Sequence, residues 1–318
     1  MARASVRAIV FAYHNVGVRC LAVLLAHGVD VVRVITHKDN PNEEIWFDSV
    51  AALAARYDIP VSLPEDANDT ALVAELAALK PDFLFSFYYR QMLKSPLLAL
   101  PKQGAYNMHG SLLPKYRGRV PVNWAIIHGE RETGATLHQM LEKPDAGGII
   151  AQQAVPILPD DTAGEVFNKV TLAAELALDR VLPDLIKGRM TPQAQNLAAG
   201  SYFGGRCAED GRIDWRQSAR AVHNLIRAVA PPYPGAFFDT PQGRWRVLRS
   251  LHPVVLNPSQ RGEFGRPTLF IRDGRWYAEC GDGQVLRLLA VEFAGSLLVA
   301  TADNPLNAIF GTPTLPLP

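Results

Sequence analysis

Apolar positions in the first half of the chain fall in short continuous runs separated by amphipathic stretches. Ala8–Tyr13 is an unbroken apolar run, the pattern of a strand buried on both faces. Gly17 and a helical spacing follow, with Leu21, Leu24, Leu25 and Val29 on one side. Val29–Thr36 predicts a second buried strand, Phe47–Tyr57 a helix and Ile59–Ser62 a short strand. Thr70–Lys80 predicts a helix with Leu72, Val73, Leu76 and Leu79 on one face, ended by Pro81. Phe83–Phe87 and Ala105–His109 predict strands, and Val122–His128 a helix. Gly134–Met140 and Gly148–Pro156 predict an antiparallel pair, and Ala163–Lys187 a long helix. Strands alternating with helices imply an α/β unit, a doubly wound, mostly parallel sheet covered on both faces.

After Gly188 the pattern changes. Residues 189–217 are rich in turn formers and read as a linker. Ala219–Ala228 predicts a helix stopped by Pro231-Pro-Tyr-Pro-Gly235. Short β-like runs follow at Ala236–Thr240, Arg244–Ser250, Thr268–Ile271, Arg275–Ala278 and Val285–Phe293. Turn dipeptides between them suggest a small antiparallel, OB-like barrel. The expected organisation is residues 1–188, a linker 189–217, and a small β-rich domain 218–318 ending in a loose Pro-rich tail from Gly311.

Composition narrows the class. Of 318 residues, 48% are hydrophobic and 20% charged, which excludes a disordered chain. No apolar stretch approaches the roughly 18–20 residues of a membrane span, so no membrane insertion is expected. The basic start at residues 1–7 precedes too short an apolar run for a signal peptide, so the chain reads as cytoplasmic. Three scattered cysteines form no CxxC pair, and the histidines show no ligand spacing, so no metal is expected. Formal charge is +1, and residues 201–318 carry 13 arginines against 10 acidic residues. That balance argues against a phosphate-gripping nucleic-acid platform. The turn after the first strand, Tyr13-His-Asn-Val-Gly, lacks the glycine fingerprint of dinucleotide binding, which disfavours a dehydrogenase.

The densest polar stretch is Asn107-Met-His-Gly-Ser-Leu-Leu-Pro-Lys-Tyr-Arg-Gly-Arg119. Asn107 and His109 lie two apart at a strand end, hence on one face. Asp145 sits in a glycine-bearing turn between two apolar strands. Each residue alone has an ordinary structural reading.

As a set, they resemble the 10-formyltetrahydrofolate-dependent formyltransferases. Flanking segments Phe11-Ala-Tyr-His14, Thr36-His-Lys-Asp-Asn-Pro41, Phe85-Ser-Phe-Tyr-Tyr-Arg90 and Glu132-Thr-Gly-Ala-Thr-Leu-His138 extend the likeness. They look like the transformylase domain of the UDP-4-amino-4-deoxy-L-arabinose modification enzyme. Tyr202-Phe-Gly-Gly-Arg206 and the stretch 227–236 carry it further, although a second glycine stands where those relatives would place an arginine. That enzyme's fused decarboxylase domain has no counterpart here, so a free-standing formyltransferase is expected.

The resemblance implies formyl transfer from 10-formyltetrahydrofolate to the amine of a nucleotide-linked sugar, UDP-4-amino-4-deoxy-L-arabinose, in lipid A modification and polymyxin resistance. It makes residues 1–188 the catalytic domain. Asn107 would donate to the developing oxyanion, His109 would donate and handle protons, and Asp145 would orient His109 and favour its imidazolium. The resemblance implies that Gln91, Met92 and Leu93, with Leu141, Glu142, Lys143, Pro144 and Asp145, line the pteridine pocket, and that Arg119 lies near the folate. For Gln91–Leu93 a helix start covering the sheet is an equal reading. His14, Asn15 and Arg206 are candidates for the sugar-nucleotide side; His14 could instead cap a helix, and Arg206 could be a solvated surface group. The expected partners are small molecules, folate and nucleotide sugar, without nucleic acid. Methionyl-tRNA formyltransferase and a noncatalytic binding module remain the alternatives.

Overall fold

The structure, a computed structural model, describes residues 6–41, 43–254, 265–299 and 305–318. The basic start at residues 1–5 lies outside the described residues. The chain divides into two compact units. One comprises Met1–Pro121, Glu132–Val155 and Phe167–Gly204; the other comprises Val122–Arg131, Pro156–Val166 and Gly205–Pro318.

The elements of the chain up to Leu185 are, in order, β1 (Arg7–Ala12), α1 (His14–Ala26), β2 (Asp30–Ile35), α2 (Val50–Ala55), β3 (Val61–Ser62), α3 (Thr70–Ala78), β4 (Phe83–Phe87), α4 (Ser95–Leu98), β5 (Ala105–His109), β6 (Arg117–Gly118), α5 (Pro121–Ile127), β7 (Glu132–Gln139), β8 (Ile149–Pro156) and α6 (Ala163–Leu185). The sheet order is β3-β2-β1-β4-β5-β7-β8. Strands β3 to β5 pair in parallel, and β7 joins β5 antiparallel. Because β1 beyond Arg7 and all of β4 are buried on both faces, their sequences are, Ser86 apart, apolar runs rather than alternating ones. The strand order reverses direction between β1 and β4, the place where doubly wound sheets gather ligands.

Two helices differ from expectation in physical ways. Helix α1 starts at His14, before Gly17, with Tyr13 as its N-cap. Gly17 lies inside that helix, where an added Cβ would stand 3.1 Å from side-chain carbons of Ala12 and Val50, so glycine permits the close approach. Helix α2 starts only at Val50: Ser49 caps it by accepting from the Ala52 amide, while Trp46 and Phe47 pack against His14 instead.

The remaining elements are β9 (Tyr202–Phe203), α7 (Ala219–Ala228), β10 (Ala236–Thr240), β11 (Gly243–Leu251), β12 (Thr268–Arg272), β13 (Arg275–Glu279), β14 (Val285–Phe293), β15 (Ser296–Leu298), α8 (Pro305–Phe310) and β16 (Thr314–Pro316). Strand β9 pairs in parallel with β6, a two-residue contact that carries no periodicity and was not anticipated. Strands β10 to β16 form the curled antiparallel sheet of the second unit, in the order β10-β11-β14-β13-β12-β16. Its core includes Trp215, Phe238, Trp245, Trp276 and Leu286, with Val222 and Ile226 of α7. Expectation fails at the tail. Rather than hanging loose, the tail forms β16 on β12 and buries Leu315 and Leu317 in that core. The Leu-Pro alternation places both leucines on one face, and an edge strand tolerates the prolines.

Candidate active site

Strand β5 runs between β4 and β7, so its side chains on one face meet those of β7. Asn107 pairs with Ser86 of β4 and His138 of β7, and His109 pairs with Thr136. Asn107 Nδ2 stands 3.2 Å from His138 Nε2. His109 is buried, and its Nε2 donates to the Tyr116 carbonyl at 2.7 Å. Its Nδ1 stands 3.6 Å from Asp145 Oδ1.

Asp145 arrives from the loop between β7 and β8. Its φ is +51°, a left-handed backbone unusual for a side-chain-bearing residue. Its Oδ2 accepts from the Gly118 amide at 2.9 Å, and its Oδ1 is 3.5 Å from His138 Nε2. Burial alone would raise this carboxyl. The charge of His109, the hydrogen bond from His138 and the Gly118 amide outweigh burial and hold it well below the usual carboxylate range. His138 Nδ1 donates to the Gln139 carbonyl at 2.7 Å. Its Nε2 therefore faces a donor and an acceptor: it can accept from Asn107 when neutral or donate to Asp145 when protonated. One carboxylate thus lies between two imidazoles, with an amide beside them.

Around this cluster the backbone is strained. Tyr88 and Tyr116, like Asp145, have left-handed φ values, +58° and +57°, and His14 adds a fourth at +67°. Such residues concentrate at functional sites because the surrounding contacts must over-determine them. Gly110, directly after β5, lies against the hydroxyl end of Tyr88; a Cβ there would overlap the phenol oxygen.

The structure brings Asn107, His109 and Asp145 together. The other sequence candidates separate by role. Both ends of the Gln91 amide are used by the neighbouring backbone, accepting from Ala67 N and donating to Glu65 O, each at 2.7 Å. Leu93 lies in the core, and neither residue belongs to a helix, since α4 begins at Ser95. Met92 and Leu141 are exposed apolar side chains at 53% and 54%. Their loops are linked by a hydrogen bond from Ser95 at the start of α4 to Glu142. Lys143 and Arg119 are exposed, and Pro144 is half-buried. His14 is enclosed by Trp46, Phe47 and Phe167, and burial pushes it down to about 3, with the Arg90 charge acting in the same direction. Asn15 accepts from the Asp48 amide. Arg206 belongs to the other compact unit, where it covers the Trp124 ring and donates to the Asp210 carbonyl.

Sequence reasoning missed His138 as a site residue, although it stands in the quoted Glu132–His138 segment. Pairing of β7 with β5 places it opposite Asn107. The Tyr116 carbonyl and Gly118 amide were equally invisible, being backbone groups. Among the described residues, no group of three or more His, Cys, Asp or Glu side chains could hold a metal ion. No helix among them is long and apolar enough to cross a membrane.

The mostly parallel α/β sheet thus carries an amide, two imidazoles and a carboxylate at the end of β5. Residues 17–182 match the formyl transferase family, and residues 207–306 match the formyl transferase C-terminal domain; the chain belongs to the formyl transferase family. By class it is a formyltransferase.

Solved structures share the fold. WlaRD, a sugar 3N-formyl transferase crystallised in the presence of dTDP and 5-N-formyl-THF, is 20% identical with a TM-score of 0.69; the match covers 92% of this chain and 99% of that one. An N-formyltransferase from Helicobacter canadensis, in complex with folinic acid and dTDP-3-aminofucose, is 22% identical with a TM-score of 0.67, covering 89% and 98%. HypX from Aquifex aeolicus, in complex with tetrahydrofolic acid, is 19% identical with a TM-score of 0.62, covering 92% of this chain but 46% of its own.

Proposed function

We propose that this chain transfers the formyl group of 10-formyltetrahydrofolate to the amine of a nucleotide-linked amino sugar, and that the sugar is UDP-4-amino-4-deoxy-L-arabinose. The observation that carries this reading is the convergence of Asn107, His109 and Asp145 at the end of β5. The motifs around residues 11–14, 36–41 and 85–90 support the arabinose sugar. Formylated folates, with dTDP in one structure of the same fold and dTDP-3-aminofucose in another, support the wider class.

The exposed side chains of Met92 and Leu141, on loops joined through Ser95 and Glu142, suit the flat, largely apolar face of a pteridine. Bound there, 10-formyltetrahydrofolate supplies the formyl carbon as electrophile. Asn107 can direct an amide N–H at an oxygen on which charge develops. One such donor is typically worth about 10²–10³ in rate. His109 holds one N–H on the Tyr116 carbonyl. At 3.6 Å, its contact with Asp145 is an ion-pair distance rather than a hydrogen bond, so Nδ1 remains available to a bound group, accepting when the ring is neutral and donating when it carries both protons. Asp145 compensates the imidazolium charge when His109 carries both protons, and His138 holds the Asn107 amide beside them.

The test is to incubate the chain with 10-formyltetrahydrofolate and one of two amines, UDP-4-amino-4-deoxy-L-arabinose or a dTDP-linked 3-amino sugar, following tetrahydrofolate release by absorbance. Higher kcat/KM on the arabinose nucleotide is expected. Turnover confined to the dTDP sugar would reassign the substrate, and turnover on neither would overturn the reading.

A further inference from the structure

We propose that Gln195 is a positioning residue: it fixes the turn that carries Asp145 and thereby sets the carboxylate against His109. The inference rests on the formyl-transfer reading above for its effect on rate, and on contacts within one compact unit for its geometry.

Asp145 holds a left-handed backbone, φ +51°, that is unfavourable for a residue with a side chain and that neighbouring contacts must stabilise. The contacts come from a residue 50 positions away. Gln195 Nε2 donates to two carbonyls of the same turn, Asp145 O at 3.0 Å and Gly147 O at 2.6 Å. Both partners are acceptors, so the amide is fixed with its nitrogen toward the turn. Its Oε1 is buried with no hydrogen-bond partner among the described residues. The nitrogen side is thus the side the structure uses.

The segment bearing Gln195 is itself fastened. Gln193 exchanges both backbone hydrogen bonds with Ile149 at the start of β8, at 2.7 and 2.8 Å. Pro192 packs so closely on Gly148 that a Cβ there would stand 2.6 Å from it. A few residues on, the same segment reaches the other side of the site. Ser201 Oγ accepts from the Tyr116 amide at 2.8 Å, and Ser201 O accepts from the Arg117 amide at 3.0 Å. Phe203 O accepts from the Arg119 amide, closing the β6–β9 pair around Gly118. Residues 192–203 therefore brace both supports of the catalytic pair. One support is the turn of Asp145; the other is the stretch that offers the Tyr116 carbonyl to His109 and the Gly118 amide to Asp145.

Gln195→Met keeps the length of the side chain and removes the donors without adding charge. It should lower kcat by about 10-fold, the scale of one or two lost net hydrogen bonds, while KM for both substrates stays within about 2-fold. In an Asp145→Asn background the same substitution should cause no further loss, because its effect passes through the carboxylate. Gln195→Glu, the same shape without a donor, should lose at least as much. A readout independent of activity is hydrogen exchange of the Gly118 amide, whose acceptor is Asp145; exchange should accelerate by about 10-fold in Gln195→Met. A full additive loss in the Asp145→Asn background, or unchanged exchange at Gly118, would overturn the proposal. If the wild-type chain formylates no amino-sugar nucleotide, the functional reading fails while the exchange measurement still decides the positioning role.

Discussion

Asp145 Oδ1 lies 3.6 Å from His109 Nδ1, while the opposite oxygen of the same carboxylate takes the Gly118 amide. The carboxylate is thus fixed at one end by backbone and faces an imidazole at the other. Asp145→Asn keeps the shape and removes the charge. It should lower kcat by about 10²-fold, the lower part of the range for acid–base groups, with little change in substrate KM. Steady-state kinetics on the purified variant decides this.

The depressed carboxyl also has a consequence for stability. A group whose folded value lies below its unfolded value contributes stability that is present above about pH 4 and is lost as pH falls toward the folded value. Wild type should therefore be more stable than Asp145→Asn at pH 7, and the gap should narrow as pH drops below 4. Urea unfolding of both proteins at a series of pH values reads the gap directly. A gap that widens toward acid would contradict the account.

Gly110 lies against the hydroxyl end of Tyr88 at the exit of β5. A methyl group there forces the phenol or the strand end to move. Gly110→Ala should destabilise the chain by about 1–3 kcal/mol, as overpacking does, and should lower activity by shifting His109, one residue away. Thermal unfolding together with kcat measures both effects.

Removal of residues 314–318 strips β16 from β12 and exposes the places of Leu315 and Leu317. Each buried leucine is worth about 1.5–3 kcal/mol. The truncated chain should unfold at distinctly lower urea concentration than the full one. An unchanged midpoint would mean that the tail carries no weight in that core.

Local pattern was enough where local pattern decides. Ala105–His109 and Ala219–Ala228 have the ends that their sequences predict, because one is bounded by Gly104 and Gly110 and the other by Ser218 and the proline cluster. Asn107 and His109 share a face by simple alternation. What the sequence did not reveal depends on pairing across distance. His138 enters the site only because β7 aligns with β5, and Gln195 only because its segment pairs with β8. Composition misled at the tail, where proline suggested disorder but the alternation of leucine marked an edge strand. Gln91 was offered as a folate contact by resemblance alone, and no local pattern marks that its amide ties the Glu65–Ala67 stretch to its own loop through backbone groups.

The most direct test of the catalytic assignment is single-turnover formyl transfer with both substrates saturating, comparing wild type with Asn107→Ala, His109→Ala and Asp145→Ala. Each variant should remain folded and lose about 10²-fold or more in the rate of the transfer step. Wild-type transfer rates in all three variants would contradict the assignment of the chemistry to this cluster.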